Sequence, residues 1–454
     1  MARVSLALRP IVVVTVALAC LIALLVADRA DARRSFRPVQ TTDHAWFFKP
    51  RGLSPKAVRK AKVHIRHRAG EVRRRHEPTV RVRSALSRSS LLRVRKPKPA
   101  RGGRLEIITE PLAPDPPPTD PAGACQLGTF SAANMPGSCW RPYADDSPFN
   151  TPVAANPRIA AGSAAAVRSF VGSWKGNADL NYAPRLTVGV ADTSWDYGHP
   201  IYYSRPDDPT YTVHCAEAWG TCEIEGAQVA IPAAARAAGG SDGHLTVIDQ
   251  ASGWEYDFWQ VRRKPSQGGT ITISWGGRTR IDGDGLDSNG TAAHFGGAAG
   301  VIRPAELAAG EIDHALFLVV KCTNGKSVYP AGSGVGRSCA DMGLANAGAP
   351  PMGAHFYLDM SDAEIAAAPV PEWKRTIMRA AARYGLYVGD TGGGGIVVES
   401  GSSYTSFGKA DPWVAVARDA GIKPWHNPET GKDQYTFDLT TGIDWSHRLR
   451  MLAP

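Results

Sequence analysis

The chain of 454 residues carries a formal charge of +10, with 43% hydrophobic residues, 47 glycines and 34 prolines. That is enough apolar material for a large core, and the glycine and proline content calls for many turns. The charge excludes reading the chain as uniformly basic: residues 51–104 hold 19 Lys and Arg against two acids, a local +17 that leaves −7 for the rest.

In chain order, Arg3 and Arg9 precede and flank an apolar run from Pro10 to Ala27, and Ala30-Asp31-Ala32 fits a small-x-small cleavage site. Residues 1–32 therefore read as a signal peptide or, since the run is long enough to span a bilayer, a signal anchor. Either reading exports the protein, to an extracellular or cell-envelope location. Residues 33–104 form a basic arm, densest in KAVRKAKVHIRHRAGEVRRRHE, with almost no aromatic residues and little apolar periodicity. It is expected to be disordered, and either a solvated spacer or an attachment to anionic wall polymer or a membrane surface. Nucleic acid is not expected as a partner, because stacking aromatics are missing. Residues 105–121 are a proline-rich linker containing most of PLAPDPPPTDPAG.

Residues 122–454 make the body, expected to be mainly β: an antiparallel, jelly-roll-like β-sandwich with a few short helices. The predicted strands include RLTVGV, PIYYS, YTVHCAEA, AQVAIP, HLTVIDQ, WEYDFWQVRR, GTITISWGG, IDHALFLVV and HFYLDM, separated by glycine- and proline-rich turns. Ser361 with Glu364 makes a capping box. Pro371 and Gly385 bracket one helix; Asp411, Pro412 and Gly421 bracket another. Beyond Cys20, six cysteines lie in sequence-local pairs, so proximity suggests Cys125–Cys139, Cys215–Cys222 and Cys322–Cys339 out of fifteen possible pairings. Structural disulfides agree with export.

The stretch GWEYDFWQV carries the sharpest functional question. With period two, Trp254, Tyr256 and Phe258 share a core face, and Glu255, Asp257 and Trp259 share the other. A three-residue link, Ala251-Ser252-Gly253, sets Asp249 opposite Glu255, Val247 opposite Asp257 and Leu245 opposite Trp259. Carboxylates two residues apart stand roughly 7 Å from each other, near the separation glycoside hydrolysis requires. Glu255 and Asp257 are thus the candidate acid/base or nucleophile, with Trp259 and Trp275 as platforms for sugar rings of a polysaccharide. The alternative is an ordinary solvent-facing strand.

Other candidates have plain alternatives. His244, beside Asp242, could transfer or orient a proton, or be a strand-edge histidine. His314 shares its face with Ile312, Leu316 and Leu318 and reads as a buried structural histidine. Asp390, in YGLYVGDTGGGG, lies on a glycine-rich segment that is either a site loop or a turn. RIDGDGLDSNG gathers Asp282, Asp284 and Asp287, hard ligands suited to calcium, or else a plain acidic turn; its spacing is not that of an EF-hand. No G-x-S-x-G, H-E-x-x-H or dinucleotide fingerprint is present, which leaves serine hydrolase, zincin and nicotinamide chemistry without support.

The E-x-D strand is similar to the catalytic strand of laminarinase-like glycoside hydrolases, a jelly-roll family. That resemblance implies Glu255 as nucleophile and Asp257 as its helper, but the family's acid/base position falls on Gln260 or, in the shorter spacing, Trp259. Over a longer span, CWRPYADDSPFN, DGHLTVIDQASGWEYDFWQV, GVIRPAELAAGEIDHALFLVVKC, APPMGA and YGLYVGDTGGGG resemble an uncharacterised family of secreted actinobacterial proteins. It implies one continuous exported domain and assigns no catalytic residue. The resulting expectation is an exported carbohydrate-active protein, a glycoside hydrolase or a non-catalytic glycan-binding or structural wall protein.

Overall fold

A computed structural model describes residues 36–40, 46–50, 125–171, 185–344, 348–393 and 395–454. The apolar run, the densest part of the basic arm and the proline-rich linker lie outside the described residues. Contacts divide the chain into two units, residues 1–111 and 112–454. In the first, β1 (Phe36–Gln40) pairs antiparallel with β2 (Trp46–Pro50), at the start of the stretch expected to be a basic arm.

The second unit is mainly β, of sandwich type, with a few short helices. Its elements are α1 (Ser163–Phe170), β3 (Arg185–Val188), β4 (Ile201–Ser204), β5 (Thr210–Cys215), β6 (Gln228–Ala230), β7 (Leu245–Asp249), β8 (Trp254–Arg263) and β9 (Gly269–Arg280). Then come α2 (Pro304–Ala309), β10 (Leu316–Val320), β11 (His355–Leu358), α3 (Asp362–Ala367), α4 (Glu372–Arg383), β12 (Leu386–Thr391) and β13 (Gly395–Ile396). The chain ends with α5 (Ser402–Thr405), α6 (Pro412–Asp419), β14 (Trp425–Asn427), β15 (Lys432–Asp438), α7 (Trp445–Arg448) and β16 (Leu449–Met451).

A six-stranded sheet runs β4-β7-β8-β9-β5-β6, a five-stranded sheet β13-β10-β12-β11-β16, and a smaller one β14-β15-β3. The sheets are mixed: β4–β7, β5–β9 and β10–β12 pair in parallel. Alternation divides the six-stranded sheet cleanly. Tyr202, Leu245, Val247, Tyr256 and Phe258 point into one core beside Val213 and Ile271. Ile201, Tyr203 and Ile248 point the other way, into the larger core built with Leu316, Phe317, Phe356 and Val388 of the five-stranded sheet. Two layers thus share one face of β7 and β8.

The three disulfides form as proximity suggested: Cys125–Cys139, Cys215–Cys222 and Cys322–Cys339. They fit an oxidising compartment. Among the described residues, no helix is long and apolar enough to cross a membrane. The predicted helix signals hold. Ser361 Oγ accepts the Glu364 N–H in a capping box, and Asp411 caps α6 with Pro412 at its first position. Gly385 takes φ 80° just past α4, the left-handed conformation that glycine reaches without strain.

Candidate functional site

The site grows out of the β7–β8 hairpin, whose register differs by one residue from the expected one. Asp249 pairs with Trp254, Ile248 with Glu255, Thr246 with Asp257 and Leu245 with Phe258. The link is four residues, Gln250 to Gly253. Asp249 does not face Glu255 because its carboxylate is turned into the link, accepting from the Ala251 N–H at 3.1 Å and from Ser252 Oγ at 2.7 Å.

Glu255 and Asp257 are at 0% and 2% exposure, so the expected ligand-facing acids are sealed under residues 288–298. Tyr143 Oη donates to Glu255 Oε2 at 2.8 Å, and the Ala298 N–H donates to Oε1 at 2.9 Å. Thr246 Oγ1 and Ser288 Oγ donate to the two oxygens of Asp257 at 2.8 and 2.5 Å. Gly296 and Gly297 make this cover possible. A Cβ on Gly297 would strike Thr246 Oγ1 and the Asp257 carboxylate, and one on Gly296 would strike the Tyr143 hydroxyl. Burial, and then the charge of Asp257, push the Glu255 carboxyl well above its usual range. Burial also raises Asp257, against the pull of Ser288, Thr246 and the Gly297 N–H. A carboxyl pair sharing a proton inside the fold is a structural joint, not a nucleophile in reach of a glycan.

That joint orients a histidine which the sequence did not single out. His199 Nδ1 donates to the Gly297 carbonyl at 2.7 Å, which leaves Nε2 as the acceptor nitrogen. The Gly297–Ala298 peptide thus bonds Glu255 through its N–H and His199 through its carbonyl, while the preceding peptide's Gly297 N–H bonds Asp257. His199 packs on His244, ring centroids 4.5 Å apart, and on Phe317 at 5.6 Å. Burial, then the neighbouring His244, lower the His199 imidazole to about 3; burial alone lowers His244 to about 4. Both rings are neutral near pH 7. The signal for His199 was its place before the strand PIYYS, but only the parallel β4–β7 pairing brings it beside His244.

Asp390 sits on β12, in what is a strand and not a glycine-rich turn. Gly389 before it lies under the Phe317 ring, leaving no room for a Cβ, and its carbonyl accepts the Ala293 N–H at 3.0 Å. The same Phe317 touches His199, and Asp390 and His199 both feel the charge of Asp242. Burial pushes its carboxyl up to about 7, against the Thr391 N–H at 2.6 Å, and the Asp242 charge pushes in the same direction. The charge of Asp242 also reaches His199. Asp242 and Asp390 are each partly accessible.

Trp259 follows Glu255 and Asp257 on the same face of β8, beyond the cover, and pairs across strands with Trp275 of β9. Trp219, at 60% exposure, leans on both, with centroids 5.6 Å from Trp259 and 5.9 Å from Trp275. The Cys215–Cys222 disulfide closes the loop that carries it. Three indoles therefore gather beside the histidine and carboxyl cluster. Gln260, the position of the glycosidase acid in the E-x-D likeness, has φ 50° and accepts from Ser274 Oγ at 2.6 Å.

The remaining candidates part company with this site. Asp282 is tied to the Arg280 guanidinium at 2.9 and 3.0 Å, and Asp284 accepts the Leu286 N–H. Asp287 faces away toward His294, whose imidazole it raises against the lowering by burial. Among the described residues no three His, Cys, Asp or Glu are grouped so as to hold a metal ion, Asp282, Asp284 and Asp287 included. His314 is buried, bonded to the Ala315 carbonyl and Glu306. No family model, curated protein or solved structure matches the chain.

Proposed function

We propose that the protein is an exported carbohydrate-active enzyme that hydrolyses a polysaccharide of the cell envelope or the environment. The observation that carries the reading is the gathering of Trp219, Trp259 and Trp275 at the end of the six-stranded sheet where His244 and His199 pack together, with Asp242 beside them and Asp390 of the facing sheet within reach of its charge. Indoles bind the C–H face of a pyranose, and two carboxyls in unlike surroundings can divide acid and base roles.

Asp390, raised to about 7, is about half protonated at neutral pH, and its protonated form gives the proton to the glycosidic oxygen as that C–O bond breaks. Water adds to the anomeric carbon, and its proton passes to Asp242. The neutral pair His199 and His244 keeps Asp242 and the attacking water in place. Glu255 and Asp257 act at one remove, by fixing the Gly297 peptide that holds His199. The basic arm would hold the enzyme near anionic wall polymer or lipid headgroups.

A second reading, a non-catalytic glycan-binding wall protein, is favoured by the burial of both histidines. A screen of plant, fungal and bacterial wall glycans separates the two. The enzyme reading expects oligosaccharides released by the oxidised protein and detected by mass spectrometry. Retention on a glycan without release would support the binding module, and neither result would leave carbohydrate without support.

A further inference from the structure

On this reading of the site, we infer that the substrate is a linear glycan cut internally, lying across the strands with sugar-binding positions on both sides of the cleaved bond. The order of strands carries the inference. Across the sheet run β4, β7, β8 and β9. Tyr197 and His199 precede β4, Asp242 and His244 precede β7, and Trp259 and Trp275 lie on β8 and β9.

The acid–histidine cluster is therefore in the middle, with an aromatic surface on each flank. On the β8–β9 flank are the three indoles. On the β4 flank Tyr197 is 51% exposed, and its ring lies against the Gly240 turn that leads into Asp242: a Cβ on Gly240 would be 3.0 Å from the ring. Trp195, 43% exposed, stands two residues before it. Asp196 between them is buried and accepts from Ser400 Oγ at 2.7 Å, which pins the segment so that its two aromatics face outward.

Neighbouring strands stand about 4.8 Å apart, so from Tyr197 to Trp275 is about 14 Å, room for several sugar rings. An enzyme that trims chain ends needs a closed wall on one side of its cluster. Here both flanks end in exposed aromatics.

The test uses the full-length oxidised protein on soluble β-glucan, xylan and arabinan, and on end-labelled hexasaccharides of each. Internal cutting predicts that viscosity falls before mono- or disaccharide accumulates. It also predicts that Tyr197→Ala and Trp275→Ala move the preferred bond in opposite directions along the hexasaccharide. Tyr197 is exposed and Trp275 partly exposed, and a thermal melt of each variant separates loss of fold from loss of a sugar position. Products of a single size from the first time point, or the same shift from both variants, overturn the inference and leave the hydrolase reading standing. No cleavage of any glycan by the unaltered protein overturns both.

Discussion

Glu255 and Asp390 are both carboxyls pushed up by burial, and what separates them is access. Glu255 is enclosed by Tyr143, Ala298 and Asp257, while Asp390 is partly open beside Asp242. Because burial favours the neutral form of Glu255, Glu255→Gln keeps its shape and matches the charge of that form. Turnover is expected to stay within a few-fold of the unaltered protein in a steady-state assay. Glu255→Ala leaves Tyr143 and Ala298 unpaired and should cost about 3 kcal/mol in a urea titration. Asp390→Asn removes the proton donor, so kcat should fall about 10²- to 10⁴-fold. In the unaltered protein, activity should decline on the alkaline side as pH rises through about 7, the value at which Asp390 ionises. A rate that keeps rising past that pH would remove Asp390 from the donor role.

Stability carries the same sign. A carboxyl raised in the fold holds its proton more tightly there than in the unfolded chain. Its contribution is complete below the unfolded value of about 4 and is lost as pH rises through the folded value. Asp390 and Glu399 are both raised to about 7 by burial, and Glu255 is raised as well. Melting temperature should therefore fall between about pH 6.5 and pH 8 in thermal scans, above the range in which the lowered His199 and His244 act in the opposite sense. A rise over that interval would show these groups ionised at no cost.

At the scale of elements, the Cys215–Cys222 loop and residues 288–298 do different things. The first holds Trp219 over the indole pair. Replacing both cysteines by serine should weaken glycan retention by about tenfold, as expected for loss of one stacked aromatic. It should also cost about 2–3 kcal/mol from the short closed loop. The second covers Glu255 and Asp257 with a Gly-Gly peptide, and Gly297→Ala should cost about 1–3 kcal/mol by forcing that peptide off Asp257. A melt unchanged by Gly297→Ala would mean the cover is looser than its geometry requires.

These elements also mark how far the sequence could be read. The alternation in WEYDFWQV identified both faces of β8 correctly, because period two is a local property. The burial of Glu255 was not legible: Ser288 and Ala298, which seal the pair, lie 31 and 43 residues away. The hairpin register slipped by one because Asp249 caps the link with its own side chain, lengthening it to four residues. Asp390 was singled out from its glycines, yet Gly389 beside it serves strand packing under Phe317 and not a loop. His199 had no local signature beyond its place before the strand PIYYS. Its partner is reached only through the parallel β4–β7 pairing, which closes a separation of 45 residues.

For the whole molecule, the body is a two-layer β structure closed by three disulfides, and the layers meet at the cluster that joins β7, β8 and β12. The charge division puts the proposed attachment elsewhere, in the arm of residues 51–104. The full chain should bind anionic vesicles and be released by about 0.5 M salt, whereas residues 122–454 alone should stay unbound in a sedimentation assay. Equal binding by both would move attachment into the body. The central claim is that one cluster, with Asp390 as donor, breaks the glycan that the indoles hold. It is tested most directly by measuring turnover and retention of Asp390→Asn together on the polysaccharide that the unaltered protein cuts. The account predicts that release of oligosaccharides is nearly abolished while retention is unchanged. Release at the unaltered rate by Asp390→Asn would contradict it.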